Sequence, residues 1–197
     1  MKLFPFHKKI GLSSFAAGLS WLLYAYFFVI VRDPFTSSLF LTVAGLLSLE
    51  VFAGLYTKLH DVDQGWALVA LLLGVLGAGG TALHGAFDLA NVINPPLSLD
   101  PSVPSQVDPR GFLAFGVTGL ALLKFSYLIW VSKRFTQNLS LLGFVSGILL
   151  LVIYLGRLTV LNPADPVLKY PILVEGFVVN PLWYLWLGYL FWTKKRE

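Results

Sequence analysis

The sequence predicts an all-α, polytopic membrane protein: one domain over residues 1–197, built as a bundle of six transmembrane helices. Three observations predict it. Hydrophobic residues make up 57% of the chain and charged residues only 12%, about half the charged share of an ordinary soluble domain. The apolar residues come in long uninterrupted blocks, the pattern that lipid rather than water selects. Most blocks end at charge or proline.

Six blocks reach spanning length, since ~20 residues rising ~1.5 Å each cross a ~30 Å core. They run about 10–31, 36–57, 66–91, 111–132, 139–161 and 172–193. The first follows Lys2, Lys8 and Lys9 like a secretory leader. It is too long for one, and Val31-Arg32-Asp33-Pro34 offers no small-residue cleavage site, so it reads as a retained helix. Breaks fall at Arg32-Asp33-Pro34, Lys58 to Asp63, Pro95-Pro96, Lys133-Arg134, Asn162-Pro163 and Asp165-Pro166, with Lys194-Lys195-Arg196 closing the chain. The one long connection, 92–110, holds five prolines and should be extended and stiff, roofing one end of the bundle.

Basic residues orient the bundle. With the N-terminus inside, nine Lys and Arg fall at cytoplasmic ends, against Arg32, Arg110, Arg157 and Lys169 outside, and Lys124 within a helix. This positive-inside bias predicts both termini on the cytoplasmic face of a prokaryotic inner membrane. Trp66, Trp130 and Trp192 fall at the inner boundary, where indoles favour the headgroup zone. The net charge of +4 is spent on orientation, which leaves no case for nucleic acid as a partner. With no cysteine, disulfides, thiolate metal sites and cysteine nucleophiles are excluded.

Sliding the chain by 100 residues matches nine of 31 positions from Gly11/Gly111 to Leu41/Leu141. A weak 3+3 inverted repeat, as in many transporters, would give such a match.

Ionisable residues inside a membrane are costly and mark candidate sites. Glu50 and Lys124 lie at equal depth, about 12–14 Å from the inner boundary at ~1.5 Å per residue. They read as a buried ion pair that holds helices two and four in register, as part of a proton or cation pathway, or as unpaired groups with shifted pKa. A retinal Schiff base on Lys124 is opposed by the six-helix count. A second set, His84, Asp88, Arg157 and Glu175, lies near the outer face. His84 and Asp88 are four apart and share a face, which Gly77 and Thr81 continue, with Gly85 beside it. Small residues at that spacing draw a neighbouring helix close. With Arg157 the set suits a headgroup phosphate or carboxylate. Without it, His84, Asp88 and Glu175 could make a three-ligand zinc site. The bland alternative is snorkelling and internal pairing. Gly143-xxx-Gly147 reads as helix–helix packing, and Pro181 should kink the last helix.

Leu139-Ser-Leu-Leu-Gly-Phe-Val-Ser-Gly-Ile-Leu-Leu-Leu and Pro181-Leu-Trp-Tyr-Leu-Trp-Leu-Gly carry a Leu-Gly-x-x-x-Gly helix and a closing Pro-x-Trp-x-x-Trp-x-Gly helix. With His84-Gly-Ala-Phe-Asp88-Leu-Ala-Asn91 and the Val107-Asp108-Pro109-Arg110-Gly111 loop, about half the chain resembles a broad group of bacterial six-helix membrane proteins, a domain-of-unknown-function family. The resemblance implies the architecture and no activity.

Three function classes fit. The first is a binding or accessory protein holding a lipid-like, quinone-like or pigment molecule at the outer cluster, or joining a larger membrane complex. The second is a small secondary transporter using Glu50 and Lys124. The third is a metal-dependent membrane hydrolase. No nucleophile–base pair, phosphate loop or nucleotide fingerprint is present, which weighs against an enzyme.

Overall fold

The computed structural model describes residues 6–95, 106–160, 162 and 164–193. Most of the predicted proline-rich roof (96–105) and the closing Lys194-Lys195-Arg196 lie outside the described residues. Among the described residues the only regular secondary structure is helical: α1 (Phe6–Ala25), α2 (Pro34–Leu59), α3 (Gln64–Ile93), α4 (Thr118–Ser132), α5 (Gln137–Thr159), α6 (Pro166–Val174) and α7 (Asn180–Thr193). Three π-helical turns extend this set. Tyr26–Val31 continues α1, Phe112–Val117 leads into α4, and Glu175–Val179 joins α6 to α7 in one continuous rod.

Aspartate sets most of the starts. Asp33 accepts from the Phe35 N–H and the Thr36 hydroxyl, Asp63 from the Trp66 N–H, and Asp165 from the Val167 N–H, while prolines occupy the first helical position of α2 and α6. Each carboxylate satisfies donors that a helix start leaves without partners, and proline gives up no bond there. The last rod begins six residues earlier than predicted: Asp165-Pro166 is its cap, and the helix continues through Pro171.

Five helical segments are long and apolar enough to cross a membrane: Phe6–Val31, Pro34–Leu59, Gln64–Ile93, Phe112–Ser132 and Gln137–Thr159. Their outward leucines are widely exposed, Leu12 at 62%, Leu72 at 60% and Leu83 at 64%, an arrangement that suits lipid and not water. The α6–α7 rod exceeds spanning length too, but Lys169, Glu175, Asn180 and three prolines lower its apolarity.

The helices form a ring in chain order. Each packs on its sequence neighbours, and the α6–α7 rod closes the ring against α1. Glycine permits the closest approaches. A Cβ on Gly45 of α2 would stand 2.5 Å from the Ala82 nitrogen of α3, and one on Gly85 would stand 2.6 Å from the Thr42 nitrogen of α2. Gly119 and Gly147 join α4 to α5 in the same way, a Cβ on either standing 2.8 Å from the other's carbonyl oxygen. The small-residue face of α3 therefore serves two neighbours, Gly85 meeting α2 while Gly77 meets Thr118 of α4. Gly143 fits against Ser126 of α4 and Trp183 of α7. Of the slid matches, Gly11 packs within α1 against Gly188, whereas Gly111 takes a left-handed φ of 72° before α4.

The two ends of the ring differ. At the end carrying Lys8, Lys58, Lys133 and Arg134, the interior is filled by Phe52 stacked on Phe125, Trp183 against Tyr184, and Leu55, Leu122 and Leu187. Arg134 clasps Asp61 through both guanidinium nitrogens and reaches the Lys58 carbonyl. That bond holds the Asp61 carboxyl down at about 2. At the other end small and polar side chains such as Ser37, Ser38 and Gly176 face inward, and a cavity remains.

Candidate functional site

The cavity measures about 650 Å³, within the ~300–1,000 Å³ of small-molecule sites. Trp21, Phe28, Phe87, Phe115 and Ile153 give it apolar walls; α1, α2, α3, α5, α6 and α7 contribute directly, and α4 through the π turn that leads into it. All three π turns border it. A π turn widens the helix and re-aims its side chains, which is how such turns come to sit at functional sites. The third precedes Pro181, which has no N–H to give, and the Asn180 N–H reaches back to the Glu175 carbonyl instead.

Four residues singled out in the sequence, His84, Asp88, Arg157 and Glu175, line this one cavity. His84 Nε2 lies 3.2 Å from Asp88 Oδ2 one turn along α3. Its Nδ1 lies 3.8 Å from Asp108 Oδ2, too far for a hydrogen bond, and is buried without a partner. Asp108 accepts the Leu113 N–H at 3.3 Å and the Ala114 N–H at 2.9 Å, so it caps the segment entering α4. Burial alone would raise its carboxyl, but His84 and the two N–H donors outweigh burial and hold it below the usual carboxylate range. Gly111 makes the turn with positive φ, where a Cβ would also strike the Phe115 ring. Arg110 Nη1 donates to the Arg157 carbonyl at 2.9 Å, tying this segment to the end of α5.

Arg157 and Glu175 are both more than nine-tenths buried. Glu175 Oε1 accepts from the Ser146 hydroxyl at 2.5 Å, while Oε2 has no partner. Arg157 Nε is likewise buried and unpaired, and no carboxylate among the described residues lies at ion-pair distance from its guanidinium. The site thus holds one His–Asp contact and two side chains of opposite ionisable type, Arg157 and Glu175, each lining the cavity with an unpaired atom.

Two expectations are corrected. Glu50 and Lys124 do not form an ion pair. Equal depth put them level, but α3 stands between α2 and α4, which scarcely touch. Glu50 is exposed and accepts from the Ser13 hydroxyl on α1, and Lys124 Nζ lies 3.6 Å over the Trp66 ring on α3. Nor do His84, Asp88 and Glu175 converge as metal ligands: no group of three such side chains among the described residues could hold an ion. Glu175 turns to Ser146 instead.

The sequence reading left out Asp108, Tyr24, Ser146 and Asn180. Asp108 had a legible signal, an Asp-Pro-Arg-Gly turn ahead of an apolar block. Tyr24 and Asn180 line the cavity and Ser146 supports Glu175; nothing in local pattern separates them from ordinary membrane-helix residues. Compared with protein-family models, curated proteins and solved structures, the chain matches none.

Proposed function

We propose that this protein is a six-span binding or accessory protein of a prokaryotic cytoplasmic membrane, holding a single amphiphile in the cavity at the outer end of the ring. One observation carries the reading: Arg157, buried beside a roomy, apolar-walled cavity, has an unpaired Nε and, among the described residues, no carboxylate at ion-pair distance. An unsatisfied buried charge is expensive, more so within a bilayer. An anionic group on a ligand removes that cost, and the aromatic and aliphatic walls suit the ligand's apolar part.

The α6–α7 rod serves as the sixth span. Its apolarity is lowered by a few residues, Lys169, Glu175 and Asn180 with the prolines, while its Trp and Tyr are at home at membrane interfaces. The resemblance to bacterial six-helix membrane proteins agrees with this architecture. The transporter reading has lost its Glu50–Lys124 pair and keeps only the weak internal match, and the hydrolase reading has lost its metal set.

Purification in mild detergent with mass spectrometry of bound small molecules tests the proposal. The wild type should carry one dominant amphiphile at near-stoichiometric yield. Arg157→Gln and His84→Ala should lose it while keeping a sharp melting transition. Equal co-purification with both variants would remove the cavity from the function.

A further inference from the structure

Arg157 and Glu175 project into the same cavity from neighbouring helices, α5 and the π turn after α6, yet they do not pair with each other. Each keeps an unpaired polar atom, Arg157 Nε and Glu175 Oε2. A guanidinium can only donate, and a carboxylate that meets a cation ionises and accepts, so one ligand satisfying both would present an acceptor anion and a cationic hydrogen-bond donor a short chain apart.

The charge around the cavity narrows the donor. Four carboxylates line it (Asp33, Asp88, Asp108 and Glu175), against Arg32 and Arg157 and the histidine His84. Asp33 and Asp108 are engaged as helix caps, and Asp88 faces His84. Glu175 is left with only the neutral Ser146 hydroxyl for company. A ligand of net negative charge would add to this excess, while one bringing its own cation relieves it. A quaternary ammonium carries no N–H and would leave Oε2 unbonded; a primary ammonium bonds it. An anion set close to a lipid-exposed wall such as Phe28 and Ile172 is most simply a bilayer phosphate ester.

Building on the amphiphile-binding reading, we infer that the occupant is a phospholipid with a primary-amine, ethanolamine-type head, its phosphate on Arg157 and its ammonium on Glu175. The cavity is a selective headgroup site and not a general lipid crevice.

Native mass spectrometry of the full-length protein decides this, after exchange into equal mixtures of dioleoyl phosphatidylethanolamine, phosphatidylcholine and phosphatidylglycerol. The ethanolamine lipid should be retained about tenfold or more over either other, the loss expected for a missing bond to a charged group. Glu175→Gln should bring the three lipids within about twofold of one another without abolishing binding, by the same loss of a charged partner. Arg157→Gln should abolish retention of all three. Equal retention of the three by the wild type, or preference for phosphatidylglycerol, overturns the inference and leaves the binding function standing. Unchanged retention in Arg157→Gln overturns the binding function itself. Soluble O-phosphoethanolamine separates the sources: displacement of the lipid by it at comparable concentration overturns the phospholipid assignment, and failure to displace supports it. If Glu175→Gln does not fold, the wild-type ranking decides alone.

Discussion

Glu50 and Lys124 show how far a single coordinate carries. Depth along the membrane normal can be counted from a chain, because each helical residue advances a fixed rise. Azimuth cannot, and azimuth decides which side chains meet. Both residues settle on the nearest available partner, Ser13 for Glu50 and the Trp66 ring for Lys124. Cation–π contacts of this kind are worth ~0.5–2 kcal/mol. The expected consequence is independence. In a double-mutant cycle, Glu50→Ala and Lys124→Ala should add to within ~0.5 kcal/mol, as separated sites do. Unfolding in mixed micelles with a titrated denaturing detergent supplies the numbers, and a coupling of several kcal/mol would restore the ion pair. His84, Asp88, Arg157 and Glu175 were legible for a different reason: in lipid, an ionisable side chain away from the interface must face an interior or a polar space. That rule gathers residues from three helices into one place without knowing how the helices are arranged. It missed Tyr24, Ser146 and Asn180 because uncharged polar residues are cheap enough in a bundle to carry no such signal.

At the scale of the element, helix existence was readable throughout and helix detail was not. Long apolar runs and aspartate caps mark the spans, since lipid forces every backbone group to be satisfied within the helix. The π turns leave no local trace beyond Pro181, and they are what aim Glu175 inward. The glycines could be counted but not ranked, since what each one touches is a matter of packing. The structure ranks them. A Cβ on Gly45 would press on the α3 backbone, whereas Gly79 faces open space with nothing within 4 Å. Gly45→Ala should destabilise by about 1–3 kcal/mol, the usual cost of overpacking. Gly79→Ala should be neutral or stabilise by up to about 1 kcal/mol, because alanine is the better helix former. The same detergent titration compares them, and equal effects would contradict the α2–α3 seam.

For the whole molecule, the basic and cavity ends should lie on opposite sides of the membrane, the basic end inside. Reporter fusions after Glu197 and within 96–105 should report cytoplasm and periplasm respectively. A periplasmic signal from the C-terminal fusion would invert the orientation and place the cavity in the inner leaflet. The ring also carries a gradient along its axis. One end is locked by stacked rings and the Arg134–Asp61 clasp; the other is bordered by three turns of irregular helix around a void. Cooperative opening starts where buried contacts are fewest. On the amphiphile-binding proposal, opening at the cavity end while the clasped end stays shut would exchange a guest with one leaflet alone and leave the bilayer's permeability barrier unbroken.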